Sequence, residues 1–109
     1  MKVVYIIGKF RDTTDEKVRI NIFKAAAVAS ELWKAGFAVI CPHLNAGCNV
    51  GVSDEVILEG DFEFIRRSDF VFVLDNWRTS VGSVNEMTLC RELGIPMYEV
   101  MQDVIYYES

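Results

Sequence analysis

Hydrophobic positions along the chain fall into short unbroken runs that alternate with stretches at helical spacing. Val3 to Ile7 is a continuous apolar run rich in β-branched side chains. That is the pattern of a strand covered on both faces, and Gly8 ends it. A polar stretch, Lys9 to Asp15, leads into a helix predicted from about Asp15 to Ala35. Val18, Ile22, Ala25, Ala26, Ala29, Leu32 and Trp33 share one face of it, which places Trp33 in the core or at a subunit contact. Thr13 and Glu16 have capping-box spacing, and Gly36 suits a left-handed stop.

Phe37 to Cys41 reads as a second buried strand, halted by Pro42. Pro42 to Val52 carries two glycines and two asparagines and reads as a loop. Ser53, followed by Asp54 and Glu55, opens a second helix that reaches about Arg67, with Gly60 placed to kink or divide it. Phe70 to Leu74 is a third strand. A turn from Asp75 to Gly82 precedes a helix that ends near Leu93, with Gly94 and Pro96 beyond. Met97 to Met101 is a fourth strand, and Gln102 to Ser109 has no decisive pattern.

Strand and helix alternate throughout. The expected architecture is α/β: a three-layer sandwich with a parallel sheet of four or five strands and helices on both faces, Rossmann-like or flavodoxin-like. In such sheets ligands bind at the carboxyl ends of the strands. The loops after Ile7, Cys41 and Leu74 are therefore the candidate sites.

Composition narrows this picture. A length of 109 residues suits one domain spanning 1–109, and 51% apolar with 25% charged residues excludes a disordered chain. The formal charge of −5 argues against a nucleic-acid polymer as partner, though not against a small anion. Cys41, Cys48 and Cys90 are odd in number and lack CxxC spacing, and His43 is the lone histidine. A disulfide framework, a zinc site and any other metal or cofactor are therefore not expected, and reduced thiols in a cytoplasmic protein are. No apolar run is long enough to span a membrane, and the first is too short for a signal peptide.

The loop after the first strand holds Gly8, Lys9 and Arg11: a close backbone approach with two cations for a phosphate or carboxylate, or simply a glycine turn with solvated charges. Ser80 and Gly82 lie where the third helix begins, and exposed amides there form an anion site. Glu86 follows in the same helix. The bland alternative makes Ser80 an N-cap and Glu86 a first-turn carboxylate favoured by the helix dipole. Asp69 reads as a turn residue. Asp61 is a candidate acid or base if partly buried beside another carboxylate, or else a helix-surface aspartate. His43 is more a loop hydrogen-bond partner than a catalyst. Trp77 either stacks on a base or covers the core edge. Met87, Leu89 and Leu93 read as core, and Glu63, Arg66 and Arg67 as a solvated helix face.

The order of these pieces resembles the nucleoside 2-deoxyribosyltransferase superfamily, including the 2'-deoxynucleoside 5'-phosphate N-hydrolases. It is closest to a family of short phage and bacterial proteins of unknown function within that superfamily. Tyr5, Gly8 and Arg11 match the hydrolases' Tyr-x-x-Gly-x-x-Arg opening. Cys41-Pro42-His43-Leu44-Asn45 is typical of the short family. Asp61 and Asp69 match the superfamily's Asp-x7-Asp segment leading into a strand, and Trp77-x-x-Ser80-x-Gly82-x-x-x-Glu86 matches its Ser-x-Gly-x3-Glu signature.

The resemblance implies N-glycosidic chemistry on a nucleoside or nucleotide. Glu86 would be the nucleophile, Asp61 the proton-transfer group, and Tyr5 the residue orienting nucleophile and sugar. Ser80, Gly82, Gly8 and Arg11, with Lys9 beside them, would cradle phosphate. Trp77, His43 and Asn45 are candidates for base stacking or loop contacts, and a homodimer or homotetramer is expected. Asn85 stands where the hydrolases often carry an aromatic residue. Two further readings stay open: a nucleotide-binding protein without turnover, and a partner-binding domain whose carboxylates only cap helices.

Overall fold

A computed structural model describes residues 1–48 and 51–109, the side chains of 46–48 excepted. The Asn49–Val50 part of the expected loop and the thiol of Cys48 thus lie outside the described residues. The elements are β1 (Val3–Ile7), α1 (Asp15–Lys34), β2 (Ala38–Ile40), α2 (Asp54–Arg66), β3 (Phe70–Val73), α3 (Val81–Leu93), β4 (Met97–Tyr98) and α4 (Met101–Glu108). The sheet is parallel, in the order β2-β1-β3-β4.

Alternation along the two central strands sorts the core into two layers. Val4, Ile6, Phe70 and Phe72 face one way and pack with Ala25, Ala29 and Leu32 of α1 and Val104 of α4. Tyr5, Ile7, Val71 and Val73 face the other way and pack with Ile65 of α2 and Met87 and Cys90 of α3. Helices thus cover both faces, as right-handed crossovers require when the chain first winds to β2 and then back past β1 to β3 and β4. That reversal puts a topological switch point between β1 and β3, where their following loops diverge around a crevice.

Several local expectations change. The N-cap of α1 is Thr14, not Thr13: its hydroxyl accepts from the Lys17 amide at 3.2 Å. Trp33 is 55% exposed, because the inward face of α1 runs through Asn21, Ala25, Ala29 and Leu32 and leaves Trp33 one step past it. Leu93, expected in the core, is 49% exposed at the end of α3. Pro42–Cys48 forms a 3₁₀ helix within the expected loop. Gly60 does not divide α2, which is one helix capped by Ser53. β4 keeps two residues of the predicted five, since Val100 caps a new helix, α4. Burial of Val104 and contacts of Glu108 with Tyr98 and Lys2 dock α4 against the sheet.

Asp69 ties the entry ends of the two central strands together. Its carboxylate accepts from the Val3 amide at 2.7 Å, and its own amide donates to the Val3 carbonyl at 2.8 Å. At the exit ends, the requirement for glycine at position 8 is one of space. A Cβ there would meet Leu74 Cδ1 at 2.4 Å and Leu74 Cβ at 2.9 Å, while φ is not positive. Gly8→Ala is expected to destabilise the fold by ~1–3 kcal/mol through overpacking, read as a lowered Tm, and to cost less when made in a Leu74→Ala background.

Candidate active site

Three elements bring their polar groups to one place. Tyr5 is fully buried in β1, and its phenol must find a partner there. It donates to Glu86 Oε2 on the second turn of α3. Glu86 is half-buried, one helical turn before the fully buried Cys90. Asp61, half-buried on α2, lies near enough to act electrostatically on both Tyr5 and Glu86. Asp61 and Glu86 thus stand on neighbouring helices, within electrostatic reach of each other.

Burial dominates their chemistry. It pushes the Asp61 carboxyl up to about 6. It pushes Glu86 up to about 7, with the Asp61 charge adding to the rise and the Tyr5 hydrogen bond opposing it. Tyr5 is held far above the usual phenol range by burial, then by the charges of Glu86 and Asp61. Burial and the Glu86 charge also push the Cys90 thiol up to about 11.

The start of α3 lies beside this group. Ser80 is the N-cap, its hydroxyl accepting from the Ser83 amide at 3.1 Å. Helix geometry leaves the Val81 and Gly82 amides outside the internal pattern. A hollow of about 310 Å³ opens there, lined by Arg78, Thr79, Ser80, Val81, Val84 and Asn85. A larger hollow of about 600 Å³ between α1 and α4 lies on the opposite face of the sheet, and neither hollow is lined by Tyr5, Asp61 or Glu86.

The remaining candidates divide. Lys9 reaches the α3 loop, donating to Thr79 Oγ1 at 3.1 Å with Asp12 at 3.6 Å. Arg11 turns away to an exposed pair with Asp54 at 2.8 Å, a contact worth little. His43 is 4% exposed, with Nε2 3.2 Å from the Gly8 carbonyl and Nδ1 3.9 Å from Cys41 Sγ. Burial lowers its pKa and so favours the neutral ring, and its bond to the Gly8 carbonyl braces the first loop. Trp77 packs against the Tyr5 layer and donates to Glu99 at 3.2 Å, and the Arg78 guanidinium covers its ring at 4.8 Å. Asn45 is exposed on the 3₁₀ helix. Sequence reasoning passed over Asn21 and Asn76, which link the first loop to the third. The available signal was a polar residue in the middle of an otherwise apolar helix face.

No group of three or more His, Cys, Asp or Glu side chains suited to a metal occurs among the described residues, and no helix among them is long and apolar enough to cross a membrane.

The same fold is found in a 2-deoxyribosyltransferase from Bacillus psychrosaccharolyticus, at TM-score 0.73 and 20% identity over 97% of this chain and 92% of that one. It recurs in a 2-deoxyribosyltransferase from Leishmania mexicana, at TM-score 0.64 and 16% identity over 89% of this chain and 62% of that one. At these identities the likeness speaks for the fold, and it defines an α/β protein of the deoxyribosyltransferase architecture. By sequence, the chain belongs to the family described as a domain of unknown function (DUF4406), which matches residues 2–99. No curated protein matches it significantly.

Two titrations test the site. Tyr5→Phe removes the bond that holds Glu86 down, so the Glu86 carboxyl is expected to titrate above about 7 when followed by carbon NMR. Both acids also keep their protons to higher pH when folded than when unfolded. Their contribution to stability is complete below about pH 4 and lost as pH rises through about 6 and 7. The fall in Tm over that range is expected to be shallower in Glu86→Gln than in the parent. Equal slopes would show that the Glu86 carboxyl is not held in this way.

Proposed function

We propose that this protein cleaves or exchanges the N-glycosidic bond of a nucleoside 5'-monophosphate through a covalent glycosyl-carboxylate intermediate. The observation that carries the reading is Glu86, hydrogen-bonded by a buried tyrosine and placed where a second, protonatable carboxyl acts on it. An ionised Glu86 attacks the anomeric carbon as the bond to the base breaks, and Asp61 gives its proton to the departing base. Oxocarbenium character builds at the sugar and is stabilised by the adjacent anion. Asp61 then takes a proton from water, whose oxygen displaces Glu86 and restores both groups. With a second base as acceptor, the same steps make a transferase. Tyr5 holds the attacking oxygens in place.

Lys9, Ser80 and the free amides at Gly82 supply positive potential for the 5'-phosphate, with Gly8 keeping the first loop close against Leu74. Arg11 would join them only on leaving Asp54. Self-association belongs to the same reading: Phe23, Trp33, Tyr106 and Tyr107 stand exposed at 76%, 55%, 80% and 65%. Sedimentation is expected to find a dimer or tetramer.

Incubation with each of the four deoxynucleoside 5'-monophosphates tests the chemistry. Free base is expected from at least one, with Glu86→Ala losing most of the rate. The reaction needs Glu86 ionised and Asp61 protonated. The rate is therefore expected to peak between about pH 6 and 7, as a property of the coupled pair. Saturable binding with no base released would replace this reading with that of a nucleotide-binding protein.

A further inference from the structure

The last backbone bond between the exits of β1 and β3 runs from the Leu74 amide to the Ile7 carbonyl at 2.8 Å. Beyond it both chains leave regular structure, yet the ladder is continued by a side chain: Asn76 Oδ1 accepts from the Lys9 amide at 2.9 Å. Asn76 Nδ2 in turn reaches Asn21 Oδ1 at 3.5 Å. Asn21 is 6% exposed on the inner face of α1, and its amide donates to the Phe10 carbonyl at 3.3 Å and to Asp12 Oδ2 at 3.1 Å. Lys9 closes the network through Thr79 and Asp12.

An asparagine inside a helix is poorer than alanine for helix formation and carries four hydrogen-bonding sites that burial would leave unpaired. Here its partners lie outside the helix, on the two loops that form the walls of the crevice. The loop after β1 has no helix or strand of its own before α1, and the loop after β3 has only the short 3₁₀ turn Trp77–Thr79. Together with the Gly8–Leu74 contact and the His43 brace, side-chain bonds therefore set the separation of these walls. One wall carries Lys9, and the other leads directly into Ser80 and Gly82.

We infer that Asn21 and Asn76 are positioning residues, an amide clasp that fixes the spacing of the two anion-binding loops and so sets affinity for the phosphate of a nucleoside 5'-monophosphate. The inference rests on the function proposed above. Among the described residues the clasp makes no hydrogen bond to the Tyr5–Glu86 pair, so it acts on phosphate binding and not on the reacting carbon.

The test compares the parent with Asn21→Ala, Asn76→Ala and the double variant. Each is titrated calorimetrically with dAMP, dGMP, dCMP and dTMP and with the four matching deoxynucleosides, and amide hydrogen exchange is followed in parallel. Each single change is expected to weaken monophosphate binding about tenfold, and the double change little more than the worse single one, because both break one network. Nucleoside binding is expected to stay within about twofold, since no phosphate is held. Exchange should quicken at the Lys9 and Ser80 amides in every variant and not in β1 or β3. Asn76 lies outside α1, so its variant keeps the helix core should Asn21→Ala fold poorly. Additive losses, or equal losses for nucleotides and nucleosides, overturn the clasp. A parent that binds none of the eight compounds overturns the functional reading and the clasp's ligand role with it. A parent that binds while the variants match it overturns the clasp alone.

Discussion

The hydrogen bond from Tyr5 to Glu86 is the constraint on which the site depends. A phenol enclosed in the central strand of a sheet has no water to turn to, and a carboxyl on the covering helix has little. Each satisfies the other, and together they fix the rotation of α3 over β1. Their energetics also oppose. Burial and the nearby Asp61 push Glu86 toward its neutral form, while the tyrosine stabilises the anion. The balance leaves the carboxyl near the midpoint of its titration at neutral pH, where a small change in surroundings shifts its charge.

The two faces of the sheet divide the work. The side covered by α1 and α4 is packed with Val4, Ile6, Phe70, Phe72, Leu32 and Val104, and apolar burial there stabilises the fold. The side covered by α2 and α3 is apolar near the middle but admits Tyr5, Asp61 and Glu86. Parallel strands make this division workable. Every strand delivers its loop to the same edge, so groups far apart in the chain meet without disturbing the opposite layer. Asp69 clamps the entry ends of β1 and β3, and the Asn76 side chain clamps their exits.

Much of this architecture is legible in the residues. Val3–Ile7 and Phe70–Val73 are strands because a run buried on both faces must be apolar throughout, and that leaves an unmistakable signature. α1, α2 and α3 follow from their spacing, and the caps at Ser53 and Ser80 from local hydrogen bonding. Tyr5, Asp61 and Glu86 stood out through an ordered set of motifs. Periodicity failed where a neighbour decides the outcome. α4 is a helix because Val104 has a sheet to pack on, and Trp33 is exposed because the sheet meets α1 one residue earlier in its turn.

The order of residues along the chain specifies the alternation of strands and helices and the parallel sheet with two covered faces. These are properties of local spacing, which a chain carries before it folds. Packing of the elements brings Asp61 within electrostatic reach of Glu86, turns Lys9 to the α3 loop and Arg11 to Asp54, and makes Leu74 require glycine at position 8. Those facts depend on distances between elements remote in the chain. Such distances are set by how side chains fill the space between layers, and no pattern along one segment contains them.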